Sequence, residues 1–285
     1  METRNRTVWI VVAIVVVLCC CALAVAAAVA VGAGWFTLYP VSRSQVGLGA
    51  MSERTEQSFN VGAAPNLTVD NFAGNVTLRA GAAGTVQVIA TKRASNQAGL
   101  NRIDVQVEQQ QGGLLVRTST SGIPSNLSVQ LEITAPAGAL LDVHTGAGTL
   151  DVQGFSGAVK VDTGAGSVSI LDVQGSIVGH TGAGSIDVQG ATGQVQVDSG
   201  AGSIDYLGTP QGDCRFESGT GSIRLSLPAN LGATLDLSTG VGDVSVAFAV
   251  AGQVSKREVQ GTIGGGGETS IYAHTGTGSI DLIRR

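Results

Sequence analysis

The feature that most constrains this chain is a recurring Thr/Ser-Gly-x-Gly corner. TGAG starts at Thr145, Thr163 and Thr181, SGAG at Ser199, SGTG at Ser218, TGVG at Thr239 and TGTG at Thr275. The first four corners recur about every 18 residues, a spacing suited to stacked β repeats. Between corners the pattern alternates. In Ser185-Ile186-Asp187-Val188-Gln189 the aliphatic residues point one way and the polar ones the other, and Gln194-Val195-Gln196-Val197-Asp198 does the same. That is the period of a strand. Glycine admits positive φ and a close backbone approach, which explains its return at every corner. Each repeat is therefore predicted to be a strand, a corner, a second strand and a second corner.

One such repeat holds too few aliphatic side chains to offset the entropy of ordering it. It must pair its backbone with neighbours. The fold class predicted is all-β, a parallel β-solenoid of about 18-residue coils, with a repeat core over 141–285. Upstream, the stretches that begin at Asn66, Asn75, Thr85, Ile103, Leu114 and Leu127 also alternate, less regularly. The run from Asn71 to Val76 reads as a degenerate first copy of the corner. The β domain is expected to span 58–285.

The N-terminus has a different character. Residues 8–31 are an uninterrupted apolar run, VWIVVAIVVVLCCCALAVAAAVAV. As a helix it would measure about 36 Å, enough to cross a hydrocarbon core of about 30 Å. Arg4 and Arg6 precede it, and Arg43 is the first basic residue after it. That bias predicts a short cytoplasmic N-terminus (1–7), a single transmembrane helix (8–31), a tether (32–57) and an extracytoplasmic C-terminal domain at the cell membrane. A cleaved signal peptide would have a shorter apolar core.

Composition narrows the function. Aromatics make up 4% of the chain and charged residues 13%, with a formal net charge of −5. An acidic surface poor in rings does not suit nucleic acid, and sparse rings also argue against a carbohydrate cleft. Of the 4 Cys, three lie in the apolar run and Cys214 stands alone in the β domain, so no disulfide is available to it. Cys214 shares a face with Phe216 and is expected to be a small core hydrophobe.

The start SFNVG…LTVDNFAGNVTLRA, the segment LSVQLEITAPAGALLDVHTGAGTLDV, the repeated TGAGSIDVQG units and the terminal GSIDLI resemble the bacterial putative-adhesin domain, a β-solenoid family of unknown function. The resemblance covers roughly 58–283. It implies a cell-envelope domain, often on a membrane anchor, and no agreed catalytic residues.

Two columns of side chains are candidates for chemistry. The position before each corner reads His144, Asp162, His180, Asp198, Glu217, Ser238 and His274, and it holds all 3 His of the chain. Stacked strands about 4.8 Å apart would make it a ladder of imidazole and carboxylate. His144, Asp162, His180 and Asp198 are the candidate metal ligands, because those donors suit zinc. The alternative is an exposed ladder whose unlike neighbours avoid like-charge stacking. A second column holds Asp151, Asp187, Asp205 and Asp281, with Arg224 in one copy. Calcium-binding β-rolls use an Asp two residues after the Gly, whereas Asp151 comes three after Gly148. No catalytic residue and no cofactor is assigned. The function expected is a non-catalytic binding or structural surface, adhesin-like, whose partner is a surface polymer or protein of the cell envelope and not nucleic acid. The alternatives are a calcium-stabilised extracellular repeat and a polysaccharide-acting enzyme.

Overall fold

The computed structural model describes residues 42–46, 50–122 and 126–285. Strands dominate, as the alternation predicts. The helix found among these residues is a single turn, α1 (Gln97–Leu100), capped by the Asn96 side chain, which accepts from Gly99 N at 2.8 Å.

The strands form two sheets of 12. In the middle repeats the residues before a corner lie in one sheet and those after it in the other. The first sheet contains β10 (Leu150–Gln153), β12 (Val168–Leu171), β14 (Ile186–Gly193), β16 (Ile204–Pro210) and β18 (Ile223–Leu227). The second contains β9 (Leu140–Ala147), β11 (Val159–Ala165), β13 (Ile177–Ala183), β15 (Val195–Ala201) and β17 (Asp213–Thr220). Neighbours in this region are parallel and in register, so Thr145, Thr163, Thr181, Ser199 and Ser218 lie side by side. The aliphatic residues of each strand face inward: Val159, Val161, Ile177 and Val195 meet Val168, Ile170, Ile186 and Ile204 in one continuous buried core.

The predicted parallel β-solenoid is not what the chain builds, because both sheets are mixed. At the N-terminal end β1 (Ser42–Val46) pairs antiparallel with β2 (Ala50–Asn60), and β2 with β5 (Thr85–Ala94). β5 runs antiparallel to β8 (Ser128–Pro136), and β6 (Ile103–Gln110) to β7 (Gly113–Thr120). At the other end β22 (Glu258–Ile263) runs antiparallel to both β19 (Ala233–Val241) and β21 (Ala251–Val254). The reason is local. Where the corner motif lapses, short turns such as Gln111-Gly112, with Gly112 at φ +80°, fold adjacent strands back as hairpins, which parallel pairing does not permit. Residues 50–57, read as tether, are strand.

The stacking order also departs from chain order. β23 (Thr269–Thr277) sits between β17 and β19, and β24 (Ile280–Arg284) between β18 and β20 (Val244–Val246). The last repeat is thus inserted between two earlier ones. The N-terminal end mirrors this: β3 (Asn66–Asn71) lies between β7 and β9, and β4 (Val76–Gly81) between β8 and β10.

The expected transmembrane helix, residues 8–31, lies outside the described residues. Among those described, no helix is long and apolar enough to cross a membrane. The single-pass cell-membrane location expected from the sequence therefore finds no spanning helix among the described residues to carry it.

The corners are held by backbone stacked on backbone. A Cβ on Gly182 would stand 2.6 Å from the Gly164 carbonyl oxygen of the neighbouring repeat. One on Gly184 would stand 2.1 Å from the Gly166 oxygen, and Gly184 has φ +150°. The Thr or Ser that opens each corner turns inward and is buried. In five of the seven corners its hydroxyl donates to a glycine carbonyl of a neighbouring repeat: Thr181 to Gly166 at 2.9 Å, Ser199 to Gly184 at 2.8 Å, Ser218 to Gly202 at 2.9 Å, Thr239 to Gly278 at 2.8 Å and Thr275 to Gly221 at 2.8 Å. In the degenerate first corner Asn71 takes this place. It donates to Gly74 O and Val129 O and accepts from Thr118 Oγ1 at 2.7 Å. The Thr145 and Thr163 hydroxyls are buried without a partner.

Two measurements test this account. Gly184→Ala forces both a clash with fixed backbone and a disfavoured φ, so denaturant unfolding should show a loss of about 3 kcal/mol or more. Gly212→Ala, at φ +67° with nothing within 4 Å of the added Cβ, should cost only about 1 kcal/mol. Thr181→Val should cost about 1–2 kcal/mol, because it takes the donor from the half-buried Gly166 carbonyl. Thr163→Val removes a hydroxyl that bonds to nothing and should be neutral or stabilising. Equal losses at Thr163 and Thr181 would contradict the hydroxyl ladder.

Candidate functional site: the outer face of the second sheet

Alternation sends every second residue of the second sheet outward. The position before each corner forms a column across nine strands. In space it reads Arg117, Asp70, His144, Asp162, His180, Asp198, Glu217, His274 and Ser238. Parallel registry puts these residues side by side because each lies one position before an aligned Thr, Ser or Asn. His274 was expected at the end, after Ser238. The inserted β23 places it between Glu217 and Ser238. Asp70 and Arg117 join the column unannounced. Asp70 was findable, because it precedes the degenerate corner at Asn71, whereas Arg117 sits in a strand with no corner motif.

The structure brings the four candidate ligands together in one line but does not converge them. The His180 Nδ1 lies 2.5 Å from Asp198 Oδ1. His144 turns the other way, with its Nε2 3.0 Å from Asp142 Oδ1, and Lys160 Nζ approaches the same oxygen at 3.4 Å. Asp162 lies in register between the two imidazoles and forms an ion pair with neither. Among the described residues no group of three or more His, Cys, Asp or Glu is placed to hold a metal ion. The His180 and Asp198 side chains are 46% and 52% exposed, so water competes for every donor and the pair adds little to stability.

The aspartate column lies on the outer face of the first sheet, in the order Asp151, Ser169, Asp187, Asp205, Arg224 and Asp281. Ser169 separates two of its carboxylates. Arg224 Nη1 lies 3.3 Å from Asp205 Oδ1, and Gln189 donates to Asp187 at 2.9 Å. A shallow groove of about 350 Å³ runs here over Ser185, Asp187, Asp205 and Arg224. Its carboxylates face hydrogen-bond donors from the protein instead of a shared centre.

Beneath this face the core holds two unused titratable groups. Tyr206 is buried with its ring 5.1 Å from that of Phe216, and its hydroxyl has no partner. Burial, and then the neighbouring Cys214, push the phenol well above its ordinary value. Cys214 is 2% exposed, as its alternation predicts, and burial raises its pKa as well. It is a protonated thiol in the core, with none of the features of a reactive one.

No family model matches the chain, and no curated protein matches it. Solved structures do resemble it. A putative cell adhesion protein from Clostridium sporogenes is 15% identical with a TM-score of 0.36, over 81% of this chain and 100% of that one. A putative adhesin from Bacteroides fragilis is 14% identical with a TM-score of 0.42, over 81% and 97%. A putative adhesin from Parabacteroides merdae is 11% identical with a TM-score of 0.34, over 81% and 96%. Likeness of this degree assigns no ligand or activity to the chain.

Because the folded Tyr206 phenol holds its proton more tightly than an unfolded one, whose pKa is about 10, the unfolded chain loses that proton first as pH rises. Stability should therefore fall above about pH 10. Urea unfolding of Tyr206→Phe should show a shallower fall there and, with an unpartnered hydroxyl removed, equal or higher stability at pH 7. An unchanged alkaline slope would mean that other groups set it. The proteins this chain is similar to are bacterial ones named for adhesion, and the family its sequence resembles is the putative-adhesin family.

Proposed function

We propose that this chain is an adhesin-like surface protein that holds an extended partner along the outer face of its second sheet, without catalysis. The observation that carries the reading is the registry of that face. Nine strands present the same outward position in line, at steps of about 4.8 Å, and the side chains there are polar. A flat, periodic, hydrogen-bonding face matches a partner that is itself long and repetitive. Small ligands need concave sites, and the grooves on these sheets are shallow. The carboxylates are strung out in lines instead of paired across a cleft, which does not suit glycoside hydrolysis. The likeness to proteins named for adhesion agrees with this reading but does not carry it.

The test is retention. Full-length chain is incubated with insoluble cellulose, chitin and peptidoglycan, and with immobilised collagen and fibronectin. Saturable binding to at least one is expected, and the double variant Asp162→Lys with Asp198→Lys should weaken it at least about tenfold by reversing the charge of the column. Binding that ignores those substitutions would move the surface elsewhere. No retention on any of the five would remove the proposal.

A further inference from the structure

Composition argued against an aromatic platform, yet the inserted last repeat places one. Tyr206, Phe216, Phe155 and Phe59 are buried, and Phe72 and Phe248 pack against the core. Among the described residues that leaves Tyr272 as the ring on an outer sheet face, since its neighbours Ile271 and Ala273 point inward. With β23 seated between β17 and β19, Tyr272 is flanked in register by Arg215 and Asp236, and His274 by Glu217 and Ser238. Six side chains from three strands thus form one cell, although they span 60 residues of sequence from Arg215 to His274.

The cell is already ordered. The Arg215 guanidinium lies over the Tyr272 ring, 4.3 Å from its centroid. It donates from Nε and Nη2 to both oxygens of Glu217, at 2.9 and 2.6 Å. Ser238 Oγ and His274 Nδ1 are 2.9 Å apart. Glu217 neutralises the guanidinium and Asp236 adds a further negative charge, so an anionic ligand is disfavoured. Beneath the guanidinium lies a ring bordered by carboxylate, hydroxyl and imidazole. A pyranose complements this: its axial C–H bonds form an apolar patch that packs on a ring, while its equatorial hydroxyls exchange hydrogen bonds around the rim.

We propose that Tyr272, with Arg215, Glu217, Asp236, Ser238 and His274, is a subsite for a neutral pyranose unit of an extended glycan. The proposal rests on the binding-surface reading above and names its ligand class. The proposal requires the guanidinium, which Glu217 holds by two hydrogen bonds, to give up the ring face to the sugar. The subsite exists only when the final repeat is seated, because two of its six side chains come from β23.

The test is calorimetric titration of the full-length chain with cellohexaose, maltohexaose and chitohexaose as neutral probes and hexagalacturonate as the anionic one. At least one neutral hexasaccharide should bind. Tyr272→Ala should weaken it at least about tenfold and Tyr272→Phe by less than about threefold. Asp151→Asn, on the opposite sheet, should leave it unchanged. Tyr272→Leu keeps apolar bulk without a ring and should lose as much as Tyr272→Ala, with melting temperatures checking that both variants fold. The subsite is overturned if no neutral probe binds, if hexagalacturonate binds best, or if Tyr272→Ala or Tyr272→Leu binds as well as the wild type. If Tyr272→Ala also retains wild-type polymer binding in the retention assay, only the subsite falls. If wild type itself is not retained on any surface, both readings fall.

Discussion

Glycine backbone stacked on glycine backbone at the corners is the constraint on which the rest of this structure depends. A side chain at Gly182 or Gly184 would occupy the space of a carbonyl in the next repeat. The corners can therefore approach closely enough for sheet pairing to continue on both sides of the turn. That approach puts the corner hydroxyls within reach of glycine carbonyls, and it fixes the registry that lines up every outward column. A buried Thr or Ser satisfies the polar backbone that close packing would otherwise leave stranded. The aliphatic core supplies most of the stabilisation, but the corners decide which strand lies beside which.

At both ends the chain interleaves its repeats and adds hairpins. A stack of identical parallel repeats would end in exposed edges and an open core. Inserting β23 and β24 between earlier strands ties the C-terminal segment to partners on both sides. β3 and β4 do the same at the N-terminal end. These insertions lie inside the sheets, and antiparallel hairpins, β21 with β22 and β6 with β7, finish the second sheet at its two ends. The same interleaving assembles the Arg215, Tyr272 and His274 cell, so the order of strands near the C-terminal end also sets the chemistry of the outer face.

Much of the middle of the molecule was legible. The alternation in 185–189 and 194–198 correctly separates buried from exposed residues. The lone Cys214 lies in the core, as its neighbours imply. The column before each corner was readable as far as Glu217, because spacing within repeats carries over directly to registry. The corner Thr and Ser were harder to read. They are polar yet turn in, and the paired carbonyls explain why. The signal was present in the Thr or Ser that opens each of the seven corners, from Thr145 to Thr275.

The sequence by itself determined that the described residues are almost entirely strand and turn, that the middle repeats pair in parallel register, and which side chains face outward there. A two-residue period and fixed glycine corners are local properties, and local properties survive in any arrangement of repeats. Only the tertiary structure decided that the sheets are mixed, that the last repeat lies between two earlier ones, and that His180 meets Asp198 while His144 turns to Asp142. Those outcomes depend on which strands compete for the same edge and on side-chain rotation across strands, and neither is encoded in spacing along one strand.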